Sequence, residues 1–284
     1  MTDHSGLATP PSYERPPPLV ETVLGVQFDE IRGLGTAHLA AFWATLNREE
    51  WPTATDAGLL DAQAERFDDA SGWAKGVQFR MMQQHPGCRV QIKNRDGDRM
   101  IQLQNGRFHV NWLGKGGGVY PRYKRVRDEF AALWAKFLEF VSPAHAPSVR
   151  SNQWEVTYVN QIPRGTVWTT PADWSFFRPL GGVPTIAGTI EGESFGGEWH
   201  FVIPPRRGRL HILWQHGREE NEGTQGQSQD FVRLTLTARG PVEAKDDPTA
   251  GIQEGLDLGH DAIVRSFRQL MSDSANQYWG LKDD

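Results

Sequence analysis

Polar and apolar positions along the chain pass twice through the same order of spacings, first a period of two and later a period near 3.6. Leu19–Asp29 (LVETVLGVQFD) carries β-favouring residues and predicts a strand, with Gly25 marking a bulge. Thr36 is expected to cap a helix through Asn47 whose apolar side holds Leu39, Phe42, Trp43 and Leu46, and Trp51-Pro52 ends it. Thr53–Ser71 is acidic and weakly patterned, which predicts a loop with a short helix. Strands are expected at Trp73–Gln84, Arg89–Asn94, Arg99–Gln104 and Arg107–Leu113, with turns at Asn94–Asp98 and Asn105-Gly106. Asn-Gly is a strong hairpin signal, because both central residues of the tightest turn need positive φ. A glycine-rich loop, Gly114–Gly118, leads to Pro121, which suits a first helical turn. The helix Tyr123–Val141 follows, with Val126, Phe130, Leu133, Trp134, Phe137, Leu138 and Val141 on one stripe.

The second round begins with Trp154–Ile162 (WEVTYVNQI), an alternating strand. Pro171–Phe177 is compatible with a short helix capped by Thr170. Strands are predicted at Thr185–Ile190, Glu198–Ile203, Leu210–His216 and Phe231–Ala238, with a polar loop over Arg218–Gln229. Asp246-Asp247-Pro248 leads into a closing helix, Ile252–Met271, whose apolar side includes Leu256, Ile263 and Phe267. Both rounds reduce to β-α-β(three or four)-α. The expected fold class is therefore α+β, two tandem halves with antiparallel sheets, helices on one face and a shared concave surface on the other. The chain divides into a proline-rich arm (1–18), a first half (19–147) and a second half (148–284), forming one compact unit.

Composition narrows the class. The chain is 38% hydrophobic with 11 Trp and 14 Phe, which suits a packed core and excludes disorder as its main state. No run approaches the roughly 18–20 apolar residues of a membrane helix, and Met1–Arg15 lacks the pattern of a secretory signal. The single cysteine, Cys88, allows no internal disulfide and no Cys-rich zinc site, so a cytoplasmic protein is expected. The net charge of −5 conceals a basic segment: Arg89–Arg127 holds 10 Lys and Arg against Asp96 and Asp98, an excess of +8.

Several marks recur in order along the chain: Pro17-Pro18-Leu19-Val20-Glu21 with Gln27-Phe28, Phe108 with Asn111-Trp112, Tyr120-Pro121 with Tyr123, Trp154, Tyr158-Val159-Asn160 with Ile162, His260, Phe267 and Trp279-Gly280. In these the chain resembles a sporadically distributed family of bacterial proteins of about this length that has no established function. The resemblance implies a single architecture over nearly the whole chain, and carries neither catalytic residues nor a fold.

The strongest candidate for a binding site is the loop and helix start Trp112–Arg127. Glycines let backbone N–H groups approach an anion, the helix start adds partial positive charge, and basic side chains add more. Lys115, Gly116, Gly117, Arg122, Tyr123, Lys124 and Arg125 are the residues expected to hold a ligand there. The order of glycines and lysine excludes a Walker A loop. A solvated basic connection is the competing reading of the same residues.

Other constellations are weaker. His200 and His211 could approach across the Pro204–Gly208 turn with Glu198 as a third metal ligand, yet no compact HxH or HExxH spacing exists. No bound metal or cofactor is expected. His260 beside Asp261 could do acid–base chemistry. The alternative is a partly buried histidine bonded to a carbonyl or to the Trp279-Gly280 segment. Cys88 with His85 is a nucleophile–base pair only by adjacency, and no Gly-x-Ser-x-Gly elbow is present. The expected function is a non-enzymatic binding protein for a partner protein or a small anionic ligand, in an accessory or defence-type role. The alternatives are a nucleic-acid binder using residues 89–127 and a hydrolase-type enzyme with scattered acid–base groups.

Overall fold

The computed structural model describes residues 10–15, 17–61, 63–65, 67, 89–114, 119–142, 149–171, 173–180, 193–220, 228–243 and 247–282. The strands expected at Trp73–Gln84 and Thr185–Ile190, the pair His85 and Cys88, and the loop residues Lys115, Gly116 and Gly117 lie outside them. The protein is α+β, with four α-helices and one large antiparallel sheet among the described residues. The strands are β1 (Leu19–Phe28), β2 (Thr53–Ala57), β3 (Arg89–Lys93), β4 (Arg99–Gln104), β5 (Arg107–Leu113), β6 (Ser151–Pro163), β7 (Gly196–Ile203), β8 (Gly208–Glu220) and β9 (Ser228–Pro241). Their order across the sheet is β2-β3-β4-β5-β1-β6-β9-β8-β7. The helices are α1 (Thr36–Thr45), α2 (Tyr123–Val141), α3 (Pro248–Leu270) and α4 (Asp273–Tyr278). Among the described residues no helix is long and apolar enough to cross a membrane.

Strand alternation gives the sheet two unlike faces. One carries Leu24, Val26, Ile101, Phe108, Val110 and Val156, all at most 1% exposed. Phe130, Trp134 and Phe137 of α2 stack on this side, with Phe108 against all three and Phe28 against the last two. Burying one such ring contributes about 1.5–3 kcal/mol. Phe42 of α1 meets Phe108 and Phe137 edge-on. Helix α3 lies close against β6 because two of its three glycines, Gly255 and Gly259, face that strand. A Cβ on Gly255 would fall 2.1 Å from Trp154, and one on Gly259 would fall 2.8 Å from it.

Cross-strand neighbours run Gln91, Gln102, His109, Gly25, Glu155, Arg239 and Arg209 from β3 to β8, and these belong to the opposite face. Because the side-chain period is two, a one-residue slip would exchange this polar row for the apolar one, so the register is tightly specified. Gly25 does not mark a bulge. Its pairing is continuous, the register shifts lie at Leu19/Glu21 and Gln27/Phe28, and the missing Cβ makes room for the His109 ring.

Other local expectations are corrected. Thr53–Ala57 is an edge strand rather than loop and helix; pairing with β3 supplies what the polar sequence TATDA lacks in propensity. Gly35, not Thr36, is the N-cap of α1. Pro121 precedes the N-cap of α2, which is Arg122. Only Gly106 of the Asn105-Gly106 turn has positive φ. The described part of Pro171–Phe177 is turns rather than helix, because the Asp173 carboxylate accepts from the backbone and hydroxyl of Ser175. Strands β8 and β9 extend into the expected loop at Arg218–Gln229. Helix α3 starts at Pro248, where the Asp247 side chain caps it.

Residues 10–15 of the proline-rich arm run along the C-terminal segment. Tyr13 bridges Leu281, Glu14 N–H donates to Gly280 O at 2.9 Å, and Tyr13 Oη donates to Asn276 Oδ1 at 3.0 Å. Burial pushes the Tyr13 phenol up to about 12, so it stays a donor.

Candidate functional site

A cavity of about 380 Å³ opens where the arm, the start of α2, β6 and α3 meet. Pro11, Pro17 and Leu19 form one wall, Ile263, Val264 and Phe267 of α3 another, and Tyr120, Tyr123, Tyr158, Asn160 and His260 supply the polar atoms. Tyr158 and Asn160 project here because both occupy the even positions of β6, on the side of Val156 and Ile162. His260 falls one turn after Leu256 on α3, on the stripe that the amphipathic pattern turns inward.

Three of these groups form a chain. Tyr120 Oη lies 2.9 Å from Tyr158 Oη, which lies 2.8 Å from His260 Nδ1. Burial pushes the His260 imidazole down to about 4, against the opposing pull of Asp261. Burial likewise raises the Tyr158 phenol well above its ordinary range and raises Tyr120. The chain is thus neutral at pH 7, and its protons can run in either direction between the two phenols and the imidazole. Tyr123 stacks flat on His260, centroids 3.8 Å apart and planes 4° apart, and its hydroxyl donates to Asp257 Oδ1 at 2.8 Å. Burial first, and then the Asp257 charge, pushes the Tyr123 phenol upward. Arg127 closes the set with Nε 2.7 Å from Asp257. His260 is therefore bonded to a tyrosine of the sheet, not to a carbonyl or the Trp279-Gly280 segment. Asp261 is engaged by Arg265 at 2.8 Å.

Of the residues singled out by sequence, Arg122, Tyr123 and Lys124 line this cavity. Arg125 is exposed and does not line it. Arg122 adopts φ 73°, ψ 149°, a conformation that costs a non-glycine residue about 1–3 kcal/mol. Lys124 Nζ sits 2.6 Å from Asp128. Three of the other described basic residues of 89–127 are engaged within the fold. Arg99 is held by Glu129 and Glu50, Arg107 is 5% exposed and donates to Gln27, and Arg127 is bound to Asp257.

The polar face of the sheet carries a second cluster. Glu65, from a stretch read as loop, receives Arg239 Nε at 3.1 Å, Arg209 Nη1, and His211 Nε2 at 2.6 Å. Burial alone would raise its carboxyl; the His211 bond and the charges of His211, Arg239 and Arg209 outweigh it and hold Glu65 below the ordinary range. His200 and His211 face each other across the β7–β8 pair with Nδ1 atoms 2.7 Å apart, and Glu198 Oε1 lies 3.6 Å from His200 Nε2. The expected approach across the turn therefore occurs.

Sequence reasoning did not place Tyr120, Tyr158 or Asn160 in a site. The available signal was their presence among the ordered marks of the family resemblance, of which Pro17, Leu19, Tyr120, Tyr123, Tyr158, Asn160, His260 and Phe267 all line the one cavity. The chain matches no family model, no curated protein and no solved structure.

Proposed function

We propose that the protein is a binding protein whose ligand is a small molecule with a flat apolar body and an anionic group, held in the cavity between the arm, α2 and α3. The observation that carries this reading is the cavity itself, apolar over most of its wall, with neutral tyrosine and histidine groups inside and the cationic side chains Arg122 and Lys124 at its lining. Pockets of a few hundred Å³ with a few convergent polar groups are the usual form of small-molecule sites. Arg99 and Arg127 of the 89–127 segment are held by carboxylates and Arg107 is buried, which leaves a narrower basic surface than a nucleic acid backbone needs. The test is titration of the full chain with 1-anilinonaphthalene-8-sulfonate, an apolar fluorophore bearing one anionic group. One saturable site is expected. It should be lost in Val264→Trp, which fills the cavity, and weakened several-fold by added salt or by Arg122→Ala with Lys124→Ala. Absence of saturable binding, or binding unchanged in Val264→Trp, defeats the proposal.

We infer as well that the framework is a tandem duplication with its helices on one face. Support comes from the strand order: β1 and β6 lie side by side at the centre, and each is flanked outward by the last strand of its own half, β5 or β9. From there each half runs back in reverse chain order to the edge. Helices α2 and α3 then close equivalent halves, and the cavity sits at their meeting point. On this reading Phe130→Ala and Phe267→Ala each cost about 3–5 kcal/mol in chemical denaturation. A cost confined to one of them counts against equivalence.

A further inference from the structure

We infer that Glu198, His200 and His211 form a binding site for one transition-metal ion on the polar face of the sheet, with Glu65 as the group that positions His211. The argument is geometric and independent of the cavity, which lies on the other face. His200 and His211 are directly opposed on β7 and β8, and Glu198 lies two residues before His200, so strand alternation places all three side chains on one side. One ligand atom from each falls within 4.8 Å of the other two.

The two imidazoles turn the same type of nitrogen toward each other at 2.7 Å. Two nitrogens bound to one zinc-like ion at about 2.0–2.1 Å each stand about 3.3 Å apart in tetrahedral geometry, so a separation of a few tenths of an ångström admits the ion. Bridging of this kind leaves the far nitrogen of His211 as an N–H donor, and that nitrogen already meets Glu65 Oε1 at 2.6 Å. A carboxylate on the outer nitrogen is the support that metal-bound histidines use to fix ring orientation and basicity. Glu65 is itself fixed by Arg209 and Arg239, and its side chain is 5% exposed.

Three protein ligands leave a position for water or a small ligand. The site has access for one, since the side chains of His200, His211 and Glu198 are 19%, 14% and 39% exposed. Two imidazoles and one carboxylate suit zinc, cobalt, nickel, copper or ferrous iron rather than magnesium or calcium, which prefer all-oxygen surroundings.

The experiment uses the full chain, freed of any affinity tag, stripped with chelator and titrated with Co²⁺ and then Zn²⁺. Expected is one Co²⁺ per chain, with visible d–d absorption that Zn²⁺ displaces. His200→Ala with His211→Ala should abolish that absorption, and Glu198→Gln should weaken binding about ten-fold. Glu65→Gln should weaken it about 10–100-fold while the band persists at saturating Co²⁺. Glu198 is exposed enough for its variant to fold, so it decides the matter if the double histidine variant does not. Lack of a saturable 1:1 site, or an affinity unchanged in Glu198→Gln, overturns the inference.

Discussion

The cavity and the polar sheet face both bury titratable side chains, by opposite means. In the cavity the hydrogen-bonded groups are neutral: two phenols and an imidazole share hydrogen bonds, while the charged side chains Arg122 and Lys124 belong to its lining but not to that chain. On the polar face the groups are paired ions, with the carboxylates of Glu65 and Glu155 set against the guanidiniums of Arg209 and Arg239. A neutral hydrogen-bond chain can exchange a partner for a ligand atom at little cost, because no charge is left exposed to a low-dielectric surrounding. A charged cluster that is already complete has no such freedom, and removing one member leaves the others uncompensated. The difference suits the ligand exchange proposed for the first region and a structural fastening by the second. The exception is the border of the second, where His200 and Glu198 face outward.

Removing one partner from each region breaks or sharpens this comparison. Glu65→Ala removes the carboxylate shared by Arg209, Arg239 and His211, whose side chains are 6%, 11% and 14% exposed, and should destabilise the protein by about 3–5 kcal/mol in urea denaturation. Tyr158→Phe removes one hydroxyl between two neutral groups and should cost about 1–2 kcal/mol. Equal costs would mean that the two regions are not held in different ways. A cost for Tyr158→Phe above that of Glu65→Ala would reverse the assignment.

Much of the framework is legible in sequence where a local pattern and a tertiary demand agree. The stripe from Val126 to Val141 predicts α2 to the residue, since the same positions that repeat at 3.6 are those buried by β1 and β5. The alternation in Arg107–Leu113 predicts β5, although the polar positions Arg107, His109 and Asn111 are buried as well as the apolar ones. Agreement fails where the partner decides. Thr53–Ala57 becomes a strand through β3 alone, and Asp273–Tyr278 is a helix through the Ser272 cap and contacts with the arm. The sites follow the same rule. His200 and His211 are 11 residues apart across one turn, so their meeting could be expected from the hairpin. Tyr158 is 38 residues from Tyr120 and 102 from His260, and Glu65 is 146 from His211. No spacing rule reaches so far: the packing of α3 on β6 brings His260 to Tyr158, and hydrogen bonds from Gln27 and Gln153 to the 63–65 segment bring Glu65 to His211.

Acid finds a point on which the two regions should agree. His109, on the polar face beneath Gly25, is 3% exposed, and burial holds it down to about 4 despite the Glu155 charge, with Arg107 and Arg89 adding to the depression. His260, in the cavity, is also held down to about 4 by burial. Both folded values lie below the ordinary 6.5, so the unfolded chain takes up protons first as pH falls. The stability each neutral ring contributes is complete above about pH 6.5 and is lost progressively between there and about pH 4. The loss by pH 5 comes to about 2 kcal/mol per histidine. Glu65 works in the same direction, since its lowered carboxyl loses its contribution as pH falls through the acid range. Urea denaturation at pH 7, 6 and 5 should therefore show a decline that begins above the carboxylate range. His260→Gln and His109→Gln should each remove about 2 kcal/mol of the part lost between pH 7 and 5. A stability flat from pH 7 to 5, or a decline left unchanged by both substitutions together, would show that these rings are not kept neutral by the fold. The hydrogen-bond chain in the cavity would then carry charge, as the polar face does.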